Sequence, residues 1–253
     1  MKADYKNWVP DGMICGFGAA TAGLAIAAGV MKNRAVSALL GAGALGCGAW
    51  TAWCVYANGQ FSYDGKRKLS RQIVEGTAAY ITLPEGGVGL DVGCGSGALT
   101  IACAKRNLQG TMVGIDRWGA EYASFNKELC EKNAEAEGIR NIRFQKGDAC
   151  KLDFPDETFN AVTSNYVYHN ISGKNKQDLL RETLRVLKKG GTFAIHDLME
   201  PARYGDMEKF AAELKAEGYE DVQLIKTTNG IYMSPGEAKL MMLSGSTLLL
   251  GRK

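Results

Sequence analysis

Two apolar stretches without a charged side chain open the chain, at residues 12–31 and 35–57, separated only by Lys32-Asn33-Arg34. At about 1.5 Å of rise per residue, each is long enough to cross a hydrocarbon layer of about 30 Å. The polar break between them predicts a helical hairpin. From residue 58 the pattern changes. Residues 58–70 form a polar linker, and Ile73, Val74, Ala78 and Ile81 then fall on one face of a helix spanning 71–81. Beyond it, short apolar runs alternate with segments of helical period. They predict strands at 88–92, 111–115, 142–145, 159–164, 192–196, 222–226 and 247–251. Helices are predicted at 98–106, 121–137, 176–187 and 206–217, with Lys188-Lys-Gly-Gly191 as a helix stop. Repeated βα units predict an α/β fold, a doubly wound parallel sheet with helices on both faces. Ligands of such sheets bind beyond the carboxyl ends of the strands. Three segments follow: a hairpin (1–57), a linker (58–70) and an α/β domain (71–253).

Small residues recur four apart in the apolar runs: Gly12 and Gly16, Gly23 and Ala27, Ala25 and Gly29, Ala42 and Gly46, Ala44 and Gly48. Such spacing lets helices approach closely in lipid, within the hairpin or between copies. Trp8, Trp50, Trp53 and Tyr56 fall toward one end of the hairpin, as an interfacial aromatic belt does. Lys2, Lys6, Lys66, Arg67, Lys68 and Arg71 fall at the same end. The turn carries only Lys32 and Arg34, so the positive-inside tendency places both termini, and the domain, on the cytoplasmic side of a cell membrane. A cleaved signal peptide fits poorly, because a second apolar run follows at once and Asp4 and Asp11 precede the first. The competing reading is a buried or oligomerising hairpin, since Gly and Ala insert weakly.

Charge and composition exclude several function classes. A net charge of +3 gives no footprint for nucleic acid. The seven cysteines form no CxxC pair and the chain has only two histidines, so no metal centre is expected. An odd cysteine count fits a reducing compartment better than a disulfide framework.

The densest chemistry lies in Asp91-Val-Gly93-Cys94-Gly95-Ser-Gly97, between a strand and a helix. Glycines there let the backbone turn sharply and admit a ligand, and the helix start offers free N–H groups. With Ala98 the loop also satisfies a loose GxGxxA pattern, which leaves a dinucleotide dehydrogenase open on this loop alone. Other acids narrow the choice. Asp91 suits an ammonium group and is a poor neighbour for a pyrophosphate. Asp116 ends the second strand where it can accept from ribose hydroxyls, a device that dinucleotide sites share. Asp148, after the third strand, suits the adenine amino group. Asn165 ends the fourth strand beside the place where a methyl group would be presented.

Taken together, LDVGCGSG, VGID, KGDA, DFPDETFNAVTSN and LLRETLRVLKKGG resemble the motifs of class I S-adenosylmethionine-dependent methyltransferases. Asn160 stands where Asp is usual and Lys189 where Pro is usual. Over the whole chain, including Asp116-Arg-Trp-Gly119, it is similar to membrane-tethered bacterial members. The resemblance implies a Rossmann-like sheet of seven strands with the last antiparallel to its neighbours, and S-adenosylmethionine as cofactor. It further implies that Gly93, Cys94, Gly95 and Gly97 pack on the cofactor and that Asp116, with Arg117 beside it, holds the ribose. Asp148 and Ala149 would face adenine, and Asn165 the sulfonium. Trp118 is a candidate wall for adenine or a helix-packing residue.

The acceptor is less legible. Ser164-Asn-Tyr-Val-Tyr-His-Asn-Ile171 resembles a segment of arsenite methyltransferases, but Tyr166 stands where those have Cys, which argues against arsenite. Quinone-type methyltransferases share the general motifs. Candidate side chains at the acceptor are Tyr166, His169 and His196-Asp197, with histidine suited to proton transfer near neutrality. A tethered enzyme is expected to serve a small or lipophilic acceptor (quinone, lipid, sterol or thiol) reached from the membrane face. The alternatives are a tethered enzyme for a soluble metabolite and a cofactor-binding scaffold without catalysis.

Overall fold

A computed structural model describes residues 2–119 and 124–253. It divides into two compact units, Lys6–Arg71 on one hand and Met1–Tyr5 with Gln72–Lys253 on the other.

The first unit is a helical hairpin of α1 (Asp11–Val30) and α2 (Arg34–Phe61). Asn33 caps α2, its side chain accepting from the Ala35 and Val36 N–H groups, which fixes the turn. The helices meet where Gly48 faces Thr21 and Gly43 faces Leu24, and the Ser37 hydroxyl donates to the Ala28 carbonyl across the pair. Of the small-residue positions expected to mediate close packing, Gly48 lies in this contact. Gly12, Gly16, Gly23, Gly29 and Gly46 have open space around them. Both helices are long and apolar enough to cross a membrane, and α1 buries none of its residues. The expected linker is shorter than predicted. α2 runs on to Phe61 and α3 (Leu69–Ala78) begins two residues early. A clasp closes the end of the hairpin: the Asn58 side chain donates to the Val9 carbonyl and the Asn7 side chain to the Asn58 carbonyl. Trp8 packs on Phe61 beside it.

In the second unit the elements after α3 are β1 (Val88–Val92), α4 (Ala98–Arg106), β2 (Thr111–Asp116), α5 (Lys127–Ala136), β3 (Ile142–Lys146) and β4 (Phe159–Asn165). They continue with α6 (Lys176–Arg185), β5 (Leu187–Leu198), α7 (Pro201–Tyr204), α8 (Met207–Ala216), β6 (Glu220–Lys226), α9 (Pro235–Leu240) and β7 (Ser246–Arg252). The strands form one sheet of order β3-β2-β1-β4-β5-β7-β6. The sheet is mixed rather than wholly parallel: β7 runs antiparallel to β5 and β6, as the family resemblance implies and simple βα repetition does not. β1 and β4, in the centre, are buried almost continuously along their length, polar residues included, as expected of strands covered on both faces. Leu90, Val92, Val113, Val162 and Ile195 from the strands pack with Leu180 and Phe210 from the helices into one core.

Three boundaries differ from the sequence pattern. Residues 121–123 of the expected helix 121–137 lie outside the described residues, and α5 begins at Lys127 because Asn126 caps it. The 188–191 stop is part of β5, since Gly190 takes φ +75° and the register jumps from Phe159↔Leu187 to Ala161↔Thr192. α7 and α9 are short turns begun by Pro201 and Pro235, the latter within a Ser234–Glu237 capping box.

Candidate cofactor and acceptor site

β1 delivers Asp91 to the carboxyl edge of the sheet, and the glycine loop then turns over it. Gly93, Gly95 and Gly97 all have positive φ (+75°, +54° and +81°). Two of them are also sterically pinned. A Cβ at Gly93 would lie 2.4 Å from Val167 Cγ2, and one at Gly97 would lie 2.9 Å from Phe144 Cζ. Gly95 differs: among the described residues nothing lies within 4 Å of where its Cβ would be, so this glycine borders open space there. The loop is tied back by Gly93 and Cys94 N–H groups on the Ile115 carbonyl.

Asp91 is buried. One carboxylate oxygen accepts from the Thr100 hydroxyl at 2.6 Å, and the other, Oδ1, has no partner among the described residues. Burial, with the charge of Asp116 adding to it, pushes the Asp91 carboxyl up to about 7. A buried acid with an orphaned oxygen fits a cationic group brought by a ligand. Asp116 bridges β2 to the loop: its Oδ2 accepts from Gly95 N–H at 2.9 Å and its Oδ1 from Trp118 N–H at 2.7 Å. Each oxygen retains a lone pair for a hydroxyl donor. The Trp118 indole donates to the Gly95 carbonyl, which fixes that ring at the loop. Arg117 and Asp148 are exposed. Asp148 accepts from Cys150 N–H and forms an isolated bridge with Lys151.

The acceptor candidates gather where β4 and β5 end side by side. Asn165 pairs in register with His196. Tyr166 has φ +55°, and its hydroxyl meets the Ser246 hydroxyl of β7 at 2.6 Å. Burial pushes its phenol further up from the ordinary value, so it is a neutral hydrogen-bonding group. His196 is wholly buried, with Nδ1 2.8 Å from Asn165 Oδ1 and Nε2 2.9 Å from Thr227 Oγ1. Burial holds it down to about 3, which keeps the imidazole neutral with both nitrogens engaged.

His169 differs. It lies in a turn of 3₁₀ helix, Tyr168–Asn170, with its ring 15% exposed and its Nδ1 2.6 Å from Asp197 Oδ1. Asp197, although adjacent to His196 in sequence, serves His169, because successive residues of a strand point to opposite faces of the sheet. Thr100, Val167, Thr227 and Ser246 were not foreseen. Thr100 follows the loop on α4 and Val167 follows β4, whereas Thr227 and Ser246 come from distant elements that only the assembled sheet brings to the site.

A family model described as a methyltransferase domain matches residues 90–195. The uncharacterised methyltransferase YcgJ of Bacillus subtilis is 34% identical over 115 residues, 44% of this chain and 41% of its own length. A 2-phytyl-1,4-naphtoquinone methyltransferase of Synechococcus elongatus is 35% identical over 145 residues, 57% of this chain and 58% of its own. Residues 90–195 of the second unit thus carry a methyltransferase domain. The chain spans about half the length of the curated relatives it matches. Among solved structures, the [4+2]-cyclase SpnF aligns with TM-score 0.56 at 20% identity, over 75% of this chain and 84% of that one, and shares the fold. S-adenosylmethionine is the cofactor of this methyltransferase unit. The residues present fit it: the orphaned Asp91 oxygen for a cation, Asp116 for hydroxyls, and open space at Gly95.

Proposed function

We propose that this protein transfers a methyl group from S-adenosylmethionine to a small lipophilic acceptor of the quinone class, reached from the cytoplasmic face of a membrane. The observation that carries this reading is the union, in one chain, of a methyltransferase unit with two apolar helices, one of which buries no residue at all. The naphthoquinone methyltransferase among the relatives supports the acceptor class.

In this reading Asp91 takes the methionine ammonium, and Gly93, Cys94, Gly95 and Gly97 line the cofactor. Asp116 holds the ribose with Arg117 beside it. Asp148 and Ala149 border adenine, and Asn165 stands near the sulfonium. The cofactor, when bound, supplies a methyl carbon already activated by positive sulfur. The protein therefore has to align the acceptor, keep water away and take up a proton where the acceptor carries one. Tyr166, tied to Ser246, forms a wall of the acceptor space, and His196 holds the Asn165 amide in place.

The test is incubation of the full chain in lipid vesicles with methyl-labelled S-adenosylmethionine and a total lipid and metabolite extract. Label is expected in the organic-soluble fraction. Label confined to the aqueous fraction would make the hairpin a mere tether. Binding of S-adenosylhomocysteine without transfer to any fraction would make the protein a scaffold, and tight binding of NAD in its place would overturn the cofactor assignment.

A further inference from the structure

We propose that His169 is the general base for an acceptor that carries an ionisable hydroxyl, a phenol or hydroquinone, and that Asp197 is the positioning residue that holds it. The proposal deepens the methyl-transfer reading and rests on it.

Asp197 is completely buried, and its carboxylate accepts from four donors. Oδ1 receives His169 Nδ1 and Leu198 N–H, both at 2.6 Å. Oδ2 receives Tyr168 N–H at 2.8 Å and His169 N–H at 3.3 Å. One carboxylate thus grips both the imidazole and the turn that bears it. Accepting from Nδ1 selects the tautomer with its proton on that nitrogen and a lone pair on Nε2. Nε2 has no partner among the described residues. The ring stands nearly perpendicular, at 89°, to that of Tyr166, with centroids 6.1 Å apart. Two residues before His169, Val167 packs directly over Gly93 of the cofactor loop. An unpaired, oriented base therefore stands beside the cofactor loop, on the acceptor side.

The neighbouring candidates do not offer this. His196 has both nitrogens engaged, and the Tyr166 hydroxyl is committed to Ser246. A thiol ionised in solution, or an amine with a free lone pair, needs no such base, whereas an un-ionised hydroxyl does. In the step, the acceptor O–H bond breaks and an N–H bond forms at Nε2. The released electron pair attacks the methyl carbon through oxygen or through the conjugated ring carbon, and the C–S pair leaves with sulfur. Attack through carbon is completed when that carbon's own proton passes to the oxygen. One proton is released overall, from His169 to water.

The experiment uses the full chain in vesicles, its His169→Gln variant, and hydroxy-aromatic acceptors of graded acidity. With an un-ionised hydroquinone the variant is expected to lose roughly 100-fold or more in turnover. With a polyfluorinated phenol, already ionised at the assay pH, the loss shrinks to within about threefold, and S-adenosylhomocysteine affinity stays within the same margin. In the cofactor-free protein, ¹⁵N NMR of the two histidines is expected to show His169 protonated on Nδ1, and Asp197→Asn to give a mixed tautomer while still binding S-adenosylhomocysteine. A penalty equal across acceptor acidities, no penalty, or a proton on Nε2 in the wild type would overturn the proposal. Wild-type protein that binds no S-adenosylhomocysteine would instead overturn the methyl-transfer reading on which it rests.

Discussion

Two buried titratable residues at the site pull stability in opposite directions. Asp91 is pushed up to about 7 in the folded protein, from an ordinary value of 3.8. Between those values the folded chain keeps a proton that the unfolded chain has lost, so stability falls as pH rises, by about 1.4 kcal/mol per pH unit. His196 is held down to about 3, from 6.5. Between those values the unfolded chain takes a proton that the folded chain refuses, so stability falls as pH drops, with a similar slope. From about pH 4 to 6.5 the two contributions cancel. Asp91→Asn is expected to unmask the histidine: thermal unfolding of the variant in detergent should occur at progressively lower temperature from pH 6.5 to 4.5, relative to wild type. Matching profiles would refute the assignment. The same carboxyl makes ligand binding pH-dependent. S-adenosylhomocysteine should bind more tightly as pH rises toward about 7 and level off above it, and the Asn variant should show no such rise in calorimetry.

At the scale of elements, the glycine loop separates folding from binding. Gly93→Ala would drive a Cβ into Val167 across the β1–β4 junction in addition to its positive φ. It should cost more than about 2 kcal/mol of stability. Gly95→Ala carries only the left-handed backbone penalty, about 1 kcal/mol, because its Cβ meets no atom of the described residues. It should fold and yet lose cofactor affinity by tenfold or more, since the Cβ occupies the cradle. Calorimetry with S-adenosylhomocysteine alongside thermal unfolding checks both. This loop, the strand segments along the chain and the carboxylates at their ends were legible in the sequence, because each is written in consecutive residues whose period or glycine content is local. The extension of β5 through Lys188–Gly191 was not: only pairing with β4 turns a helix stop into a bulge. Nor was the partnership of His169 with Asp197. The sequence sets Asp197 beside His196, and the alternation of the strand sends the two side chains to opposite faces.

For the whole molecule, the claim is that the apolar hairpin brings a methyltransferase unit to lipophilic acceptors. Protease protection tests the topology. A tag inserted after Asn33 should be cleaved in right-side-out vesicles and a tag at the C-terminus only in inverted ones, with the reverse pattern refuting cytoplasmic catalysis. The most direct measurement is transfer of labelled methyl from S-adenosylmethionine to a prenylated naphthohydroquinone embedded in vesicles with the full chain. The account predicts one methyl added per quinone in the organic phase, and its near loss in His169→Gln. Protein that binds S-adenosylhomocysteine yet leaves the quinone unlabelled, while methylating only a water-soluble acceptor, would contradict it.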